Sequence, residues 1–516
     1  MTTRRAILGC AAGAFLIHPT AHATDTGPFN VRTFGAAGDG KSLETAAINK
    51  AMEAAAAAGG GTVHFPAGNY LSHSIRLKSD VALYLDQGAT IIAADSSESS
   101  GYDAPEPNEF TQYQDFGHSH FHNSLIWGEG LKNVSILGPG MIWGRGLSRG
   151  APPQNKPADT PGTGNKCIAL KNCRNVILRD FSMFHAGHFG VLATGADNLT
   201  IDNLKIDTNR DGMDIDGCRN VRISNCFVNS PWDDAICLKS SYALGSAKPC
   251  EFVTITNCYV SGCFVEGTLL DATYKRYGPQ DRIPHTGRIK FGTESNGGFR
   301  NITISNCVFE GCQGLAMESV DGALIEDVTV TGISMRDIIS APIFLRLGRR
   351  MRAPKDTPVG TLRRVIIDGL VCSNSVARLG SILSGVQDHA IESVRISNVI
   401  VQHQGGGTKE QAALRPAERE DGYPEPGMFG TMPSHGFYLR HVKDLELSDI
   451  EIVTAKDDLR PAFFLDHVEG AGFFRVKTPR VTDVATFSLH GVSDFNTHLC
   501  KNVADTHVDN VENQEL

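Results

Sequence analysis

Between Asp207 and Ser241 the chain reads DTNRDGMDIDGCRNVRISNCFVNSPWDDAICLKSS, a stretch that crowds Asp211, Asp214, Asp216, Asp233 and Asp234 together. Like charges at this density are costly unless they are spread apart, hold a metal or share protons. Their spacing is more informative than their number. Asp211 and Asp233 lie 22 residues apart, and so do Asn203 and Asn225, in the matching segments Ile201-Asp202-Asn203-Leu204 and Ile223-Ser224-Asn225-Cys226. A repeat of this size is one coil of a parallel β-solenoid, in which the chain returns to the same lateral position one strand higher. Coils stack at the strand spacing of about 4.7–4.9 Å, so Asp211 and the Asp233-Asp234 pair are expected one above the other on a single face. Taken singly, Asp214 and Asp216 also fit ordinary turn residues that accept backbone hydrogen bonds.

Working outward, short β-branched runs recur on both sides: Val134-Ser135-Ile136, Val176-Ile177-Leu178, Leu199-Thr200-Ile201, Val253-Thr254-Ile255, Ile302-Thr303-Ile304, Val365-Ile366-Ile367 and Val394-Arg395-Ile396. Each has the composition of a strand. Turn residues follow them, in a ladder read as Asp180, Asn203, Asn225, Asn257, Asn306, Asp327, Asp368, Asn398 and Asp449. The expected fold is therefore all-β, a right-handed single-stranded parallel β-helix, in the usual hand of parallel connections. Upstream, Ala47, Ile48, Ala51, Met52 and Ala55 have helical spacing, with Ser42 as N-cap and Gly59-Gly60-Gly61 as terminator. That helix is expected to cover the open end of the solenoid, where the first strand would otherwise present unpaired backbone. Three inserts interrupt the repeat, at Ala151 to Gly164, Cys263 to Arg288 and His403 to Ser434, and inserts in a repeat array tend to gather on one face around a binding site. The β-helix domain is expected over 24–478, with a C-terminal cap or tail over 479–516.

The ends and the composition narrow the setting. Thr3-Arg4-Arg5-Ala6-Ile7-Leu8, an apolar run to Ile17, and Ala21-His22-Ala23 have the form of a twin-arginine export signal with a cleavage site, giving a leader over 1–23 and a periplasmic or extracellular protein. The apolar run is shorter than a membrane span, and no stable membrane association is expected. A net charge of −9 gives no nucleic-acid surface, so none is expected as a partner, and the chain is expected to be a monomer. Cys173, Cys226, Cys258 and Cys307 each follow an Asn, which suggests a stacked row of buried thiols with at most one or two disulfides elsewhere.

At its acidic stretch the sequence resembles glycoside hydrolase family 28, the polygalacturonase and rhamnogalacturonase family. The residues that carry the likeness are Asn209-Arg210-Asp211-Gly212-Met213-Asp214-Ile215 and Asp233-Asp234-Ala235-Ile236-Cys237-Leu238-Lys239-Ser240. The opening at Phe29 to Gly61 is similar to that of many pectin-active β-helix proteins. The resemblance implies a pectate-lyase-like solenoid that hydrolyses α-glycosidic bonds of galacturonan or rhamnogalacturonan with inversion. It implies Asp233 as the general acid, with Asp211 and Asp234 holding and activating water, and no cofactor. Such hydrolysis needs one protonated carboxyl and one ionised carboxylate, and crowded aspartates naturally split their pKa values.

The pattern then departs from the family. Its Gly-His-Gly motif is absent from register, and Ala316 and Glu318 stand where an Arg and a Lys would bind a uronate. Arg288-Ile289-Lys290 has the missing letters, but in the earlier segment, and is read as coincidence. Lys290, His188, Lys239, Glu294, Trp232 and Asn209 are the expected substrate contacts, Trp232 as a stacking platform. His118, His120 and His122 alternate as a strand would place them on one face, but no metal site is expected without further ligands. Arg346, Arg349, Arg350 and Arg352 form a basic run suited either to a polyanion or to a solvated loop. Two other functions remain open on the residues alone: a β-helix polysaccharide lyase and a non-catalytic carbohydrate-binding solenoid.

Overall fold

The structure, a computed structural model, describes residues 29–96, 101–149, 157, 159–278, 280–376 and 378–516; the expected leader and part of the first insert lie outside them. The alternating strands of the repeat bury their apolar members, as in Arg219–Ser224, where Val221 and Ile223 point inward and Arg222 outward. Successive coils pair in parallel, Leu199 with Val221 and Val221 with Val253, so each inward side chain rests on its counterpart one coil away. The result is a parallel β-helix with three strand columns.

The first column runs through Lys166–Lys171, Phe189–Thr194, Asp211–Asp216, Ile236–Ser240, Ile289–Ser295 and Leu315–Ser319. The second contains Arg174–Arg179, Asp197–Asp202, Arg219–Ser224, Cys250–Thr256 and Phe299–Ser305. The third is made of three-residue strands such as Lys205–Asp207 and Phe227–Asn229. From Leu324–Arg336 onward the second and third columns are continuous in one bent strand per coil.

Two rows of left-handed residues turn the corners. One holds Asn175, Asn198, Asn220 and Asn301 at φ 54–58°, and the other Asp180, Asn203, Asn225, Asn257 and Asn306 at φ 54–75°. Asn and Asp tolerate this region better than other residues with a Cβ. Their side chains also bond along the rows, Asn198 donating to Asn175 at 2.9 Å and Asn203 to Asp180 at 3.0 Å. The ladder expected from the sequence needs two corrections. Asp327 belongs to the first row, level with Asn301, and the successors of Asn306 are Gly332 and Gly369, with Asp368 one residue short. Asp368 instead accepts hydrogen bonds from Ser397 and Asn398. The thiol row is similarly corrected: Cys226, Cys258 and Cys307 share a column, whereas Cys173 lines up with Ala196, Cys218 and Cys250. All twelve cysteines among the described residues are free thiols.

Helix Thr45–Ala57 caps the N-terminal end through buried Ile48, Ala51, Met52 and Ala55. Its N-cap is Glu44 rather than Ser42, whose hydroxyl donates to Asp39 at 2.8 Å. The parallel stack continues past Thr478 to Phe487–His498, so the expected domain boundary falls inside the stack. Thr506–Glu515 then folds back antiparallel along that last coil and closes it.

Candidate active site

Asp211 opens a first-column strand on which Met213 and Ile215 point into the core and Asp214 and Asp216 point outward. Met213 is level with Ile236, and Gly212 donates its amide to the Asp234 carbonyl at 3.0 Å. Extending that register places Asp211 level with Asp234, and Arg210 level with Asp233. The 22-residue spacing read from the sequence thus misses the exact partner by one position, because this coil is one residue longer. One oxygen from each of Asp211, Asp233 and Asp234 lies within 4.8 Å of the others.

Neighbours set their protonation. Asp234 is buried, and burial alone would raise its pKa, yet Lys290 at 3.4 Å and Arg288 at 2.9 Å bring it below the usual carboxylate range. Asp233 is raised, burial outweighing the downward pull of Arg210, whose Nη2 donates to it at 2.7 Å, and Asp234 raising it further. Burial, then Asp214 and Asp233, push Asp211 well above the ordinary value. The cluster therefore contains a carboxylate held ionised beside two carboxyls biased toward protonation. Of the three, Asp233 is the one whose side chain reaches solvent, at 26% exposure.

Around it, His188 lies level with Arg210, accepts from its Nη2 at 3.1 Å and comes within 3.8 Å of Asp211. Burial and then the Arg210 charge push the His188 pKa well below normal, so it stands neutral. Trp232 is 43% exposed beside Asp233, and its amide donates to the Asn209 carbonyl at 2.7 Å. Asn209 keeps its buried Oδ1 without a hydrogen-bond partner at the edge of the cluster.

Three of the expected contacts lie beneath the surface of the cluster. Lys239, Glu294 and Lys290 are buried, Lys239 bonding Glu294 at 3.0 Å and lying 3.9 Å from Asp214, so they orient and charge the site from beneath. The alternating histidines also part company. His118 sits on the short helix Phe116–Ser119 and bonds Asp214 at 3.1 Å, His120 bonds the Phe116 carbonyl, and His122 bonds Glu129. The arginine run is paired internally: Arg346 bonds Ser384, Arg349 meets Glu420 at 3.2 Å, Arg350 bonds Asp321, and Arg352 bonds Glu294.

Sequence reasoning missed Arg288, Glu318 and Glu425. Arg288 and Lys290 are two apart, a strand's repeat distance, and both point outward at Asp234, so the letters dismissed as coincidence belong to the site. Glu318 rises on the next coil to within 3.6 Å of Lys290. Glu425 comes from the third insert, which docks on the outward face through Phe429 and Met432 against Phe344 and Tyr438. A further segment over residues 101–125 covers the other side, with Phe121 packed on Phe189 and Leu192.

Residues 28–264 match the family model described as rhamnogalacturonase A/epimerase, pectate lyase-like. The chain resembles the family 28 glycoside hydrolases. A probable polygalacturonase of Vitis vinifera is 22% identical over 427 residues, covering 78% of this chain and 80% of the relative. An exo-poly-alpha-D-galacturonosidase of Dickeya chrysanthemi is 25% identical, covering 40% of this chain and 41% of that protein. Among solved structures, the family 28 exopolygalacturonase of Yersinia enterocolitica superposes with a TM-score of 0.61 at 18% identity, covering 93% of this chain and 79% of the other. The exopolygalacturonase of Thermotoga maritima gives 0.56 at 19% identity, covering 72% and 86%. These two share the fold of this chain. A mannuronan C5-epimerase of Azotobacter vinelandii is 50% identical over 70 residues, covering 14% of this chain and 4% of that protein.

Proposed function

We propose that this chain, a glycoside hydrolase, cleaves α-glycosidic bonds in pectic polysaccharide or its oligosaccharides by acid–base catalysis with inversion. The observation that carries the reading is the Asp211, Asp233 and Asp234 group, whose oxygens converge within 4.8 Å while its members are driven toward opposite protonation states. Asp233, raised and reachable, gives its proton to the glycosidic oxygen as the bond to the anomeric carbon breaks. A water held between Asp211 and Asp234 attacks that carbon from the other face, and Asp234, held ionised, takes the water's proton. Trp232 offers a ring to the pyranose on the solvent side. A twin-arginine leader over residues 1–23 would deliver the enzyme, as a monomer, to the periplasm or beyond, where such polymers are met.

The test is reducing-end release, with chromatography of the products, from a panel of galacturonans and rhamnogalacturonans. Wild type should yield saturated sugars, and Asp233→Asn should lower the rate by about 10²–10⁴-fold, the usual contribution of a general acid. Unsaturated products absorbing in the ultraviolet would overturn hydrolysis in favour of a lyase. Sugar binding with no product from any member of the panel would favour a carbohydrate-binding solenoid.

A further inference from the structure

The cations that act on the three aspartates are Arg210, Lys239, Arg288 and Lys290, and every one of them is engaged within the protein. Arg288 is 1% exposed, and its guanidinium bonds Asp234 at 2.9 Å, Gln313 at 2.6 Å and Glu425 at 2.5 Å. Lys290 is 2% exposed and lies 3.4 Å from Asp234 and 3.6 Å from both Glu318 and Glu425, with the Tyr423 ring 5.6 Å away. Lys239 is held by Glu294, and Arg210 by Asp233.

Carboxyl groups already surround the Arg288 and Lys290 pair. Glu318 is wholly buried, and neither of its carboxyl oxygens has a hydrogen-bond partner. Burial raises it to about 8 despite Lys290 and Arg288, and Glu425 and Asp234 add to the rise. Glu425, with 30% of its side chain exposed, presents its carboxylate on the solvent side of Arg288. The position next to this cation pair that an incoming carboxylate would take is thus already filled by one.

We propose that the sugar held across Asp233 is an uncharged glycosyl unit, and that Glu425, with Glu318 beneath it, excludes a free uronate carboxylate from that position. This inference rests on the glycoside hydrolase reading and sharpens its substrate. A uronate placed there would bring its charge beside Asp234, which is held ionised, and Glu425, with Arg288 and Lys290 already paired to them, and rejection by uncompensated like charge is an effective source of specificity. Within pectic chemistry an uncharged unit is either a neutral hexose or deoxyhexose, or a galacturonate whose carboxyl is methyl-esterified.

The experiment compares kcat/KM on three oligosaccharide sets of equal length: free-acid galacturonate oligomers, their methyl esters, and rhamnogalacturonan oligomers. Wild type should prefer the methyl esters, or the rhamnogalacturonan oligomers, which can place a neutral rhamnose there, to the free acid by on the order of tenfold or more, the scale of one unscreened like-charge contact. Whichever set is cut identifies the source of the neutral unit. In Glu425→Gln the ratio of free-acid to uncharged turnover should rise by on the order of tenfold. Turnover of the free acid by wild type that equals or exceeds that of both the esters and the rhamnogalacturonan oligomers would overturn the proposal. So would an equal loss on all three sets in Glu425→Gln, the behaviour of a structural strut. If no set is cut, the hydrolase reading fails, and the charge inference is decided by calorimetric binding to Asp233→Asn: tighter binding of the free acid than of the ester overturns it, and the reverse supports it.

Discussion

Asp233 and Asp234 are neighbours in the chain yet face different electrostatic surroundings, and that difference biases them toward opposite protonation states. Asp234 lies against Lys290 and Arg288, which lower its pKa, whereas burial raises that of Asp233 in spite of Arg210. The expected pH profile of kcat/KM is a bell. Its acid limb, where Asp234 takes up a proton, falls below the ordinary carboxylate range, and its alkaline limb, where Asp233 loses one, falls above it. Lys290→Met removes a charge that lowers both groups, so both limbs should move to higher pH. A shift of about one pH unit corresponds to about a tenfold loss of rate on the acid side. Limbs that stay in place in the pH profile of this variant would show that Lys290 does not govern the aspartates. Of these relations the sequence displayed the three aspartates and the likeness they carry. It did not display Glu425, which stands 191 positions from Asp234, because nothing local marks a loop residue that packs across the outside of a solenoid.

At the scale of the coil, the rows of left-handed corner residues determine where each strand ends. Asn306 has φ 54°, and its successors on the same row, Gly332 and Gly369, have φ 64° and 74°. A residue with a Cβ and no compensating side-chain polarity pays about 1–2 kcal/mol in this conformation. Asn306→Ala should therefore lose about that much stability, whereas Asn306→Gly, which repeats what the next two coils already do, should stay close to wild type. Thermal unfolding of the two variants side by side checks this, and an equal loss in both would place the cost in side-chain contacts instead. The corner residues were legible as a repeat of Asn and Asp. Their assignment to two rows was not, because both corners ask for the same residue types and only strand pairing separates them.

For the whole molecule, the stack must be closed at both ends, since an open coil exposes a full row of unpaired backbone groups. The N-terminal helix does this at one end and the antiparallel strand Thr506–Glu515 at the other. Removing 506–516 should leave the β-helix folded by circular dichroism but expose Phe487–His498 and drive self-association, seen as a larger species in size-exclusion chromatography with light scattering. A truncated protein that remains a monomer would show that the last strand is not needed as a cap. The sequence by itself determined the period of the coil, the apolar faces of the strands and the crowding of the aspartates, because these are set by local spacing and by residue type. Tertiary structure alone decided which aspartate stands level with Asp211, which cations are engaged, and which insert supplies Glu425. Those depend on coil length to the single residue and on contacts between segments far apart in the chain, where one position of register changes every partner.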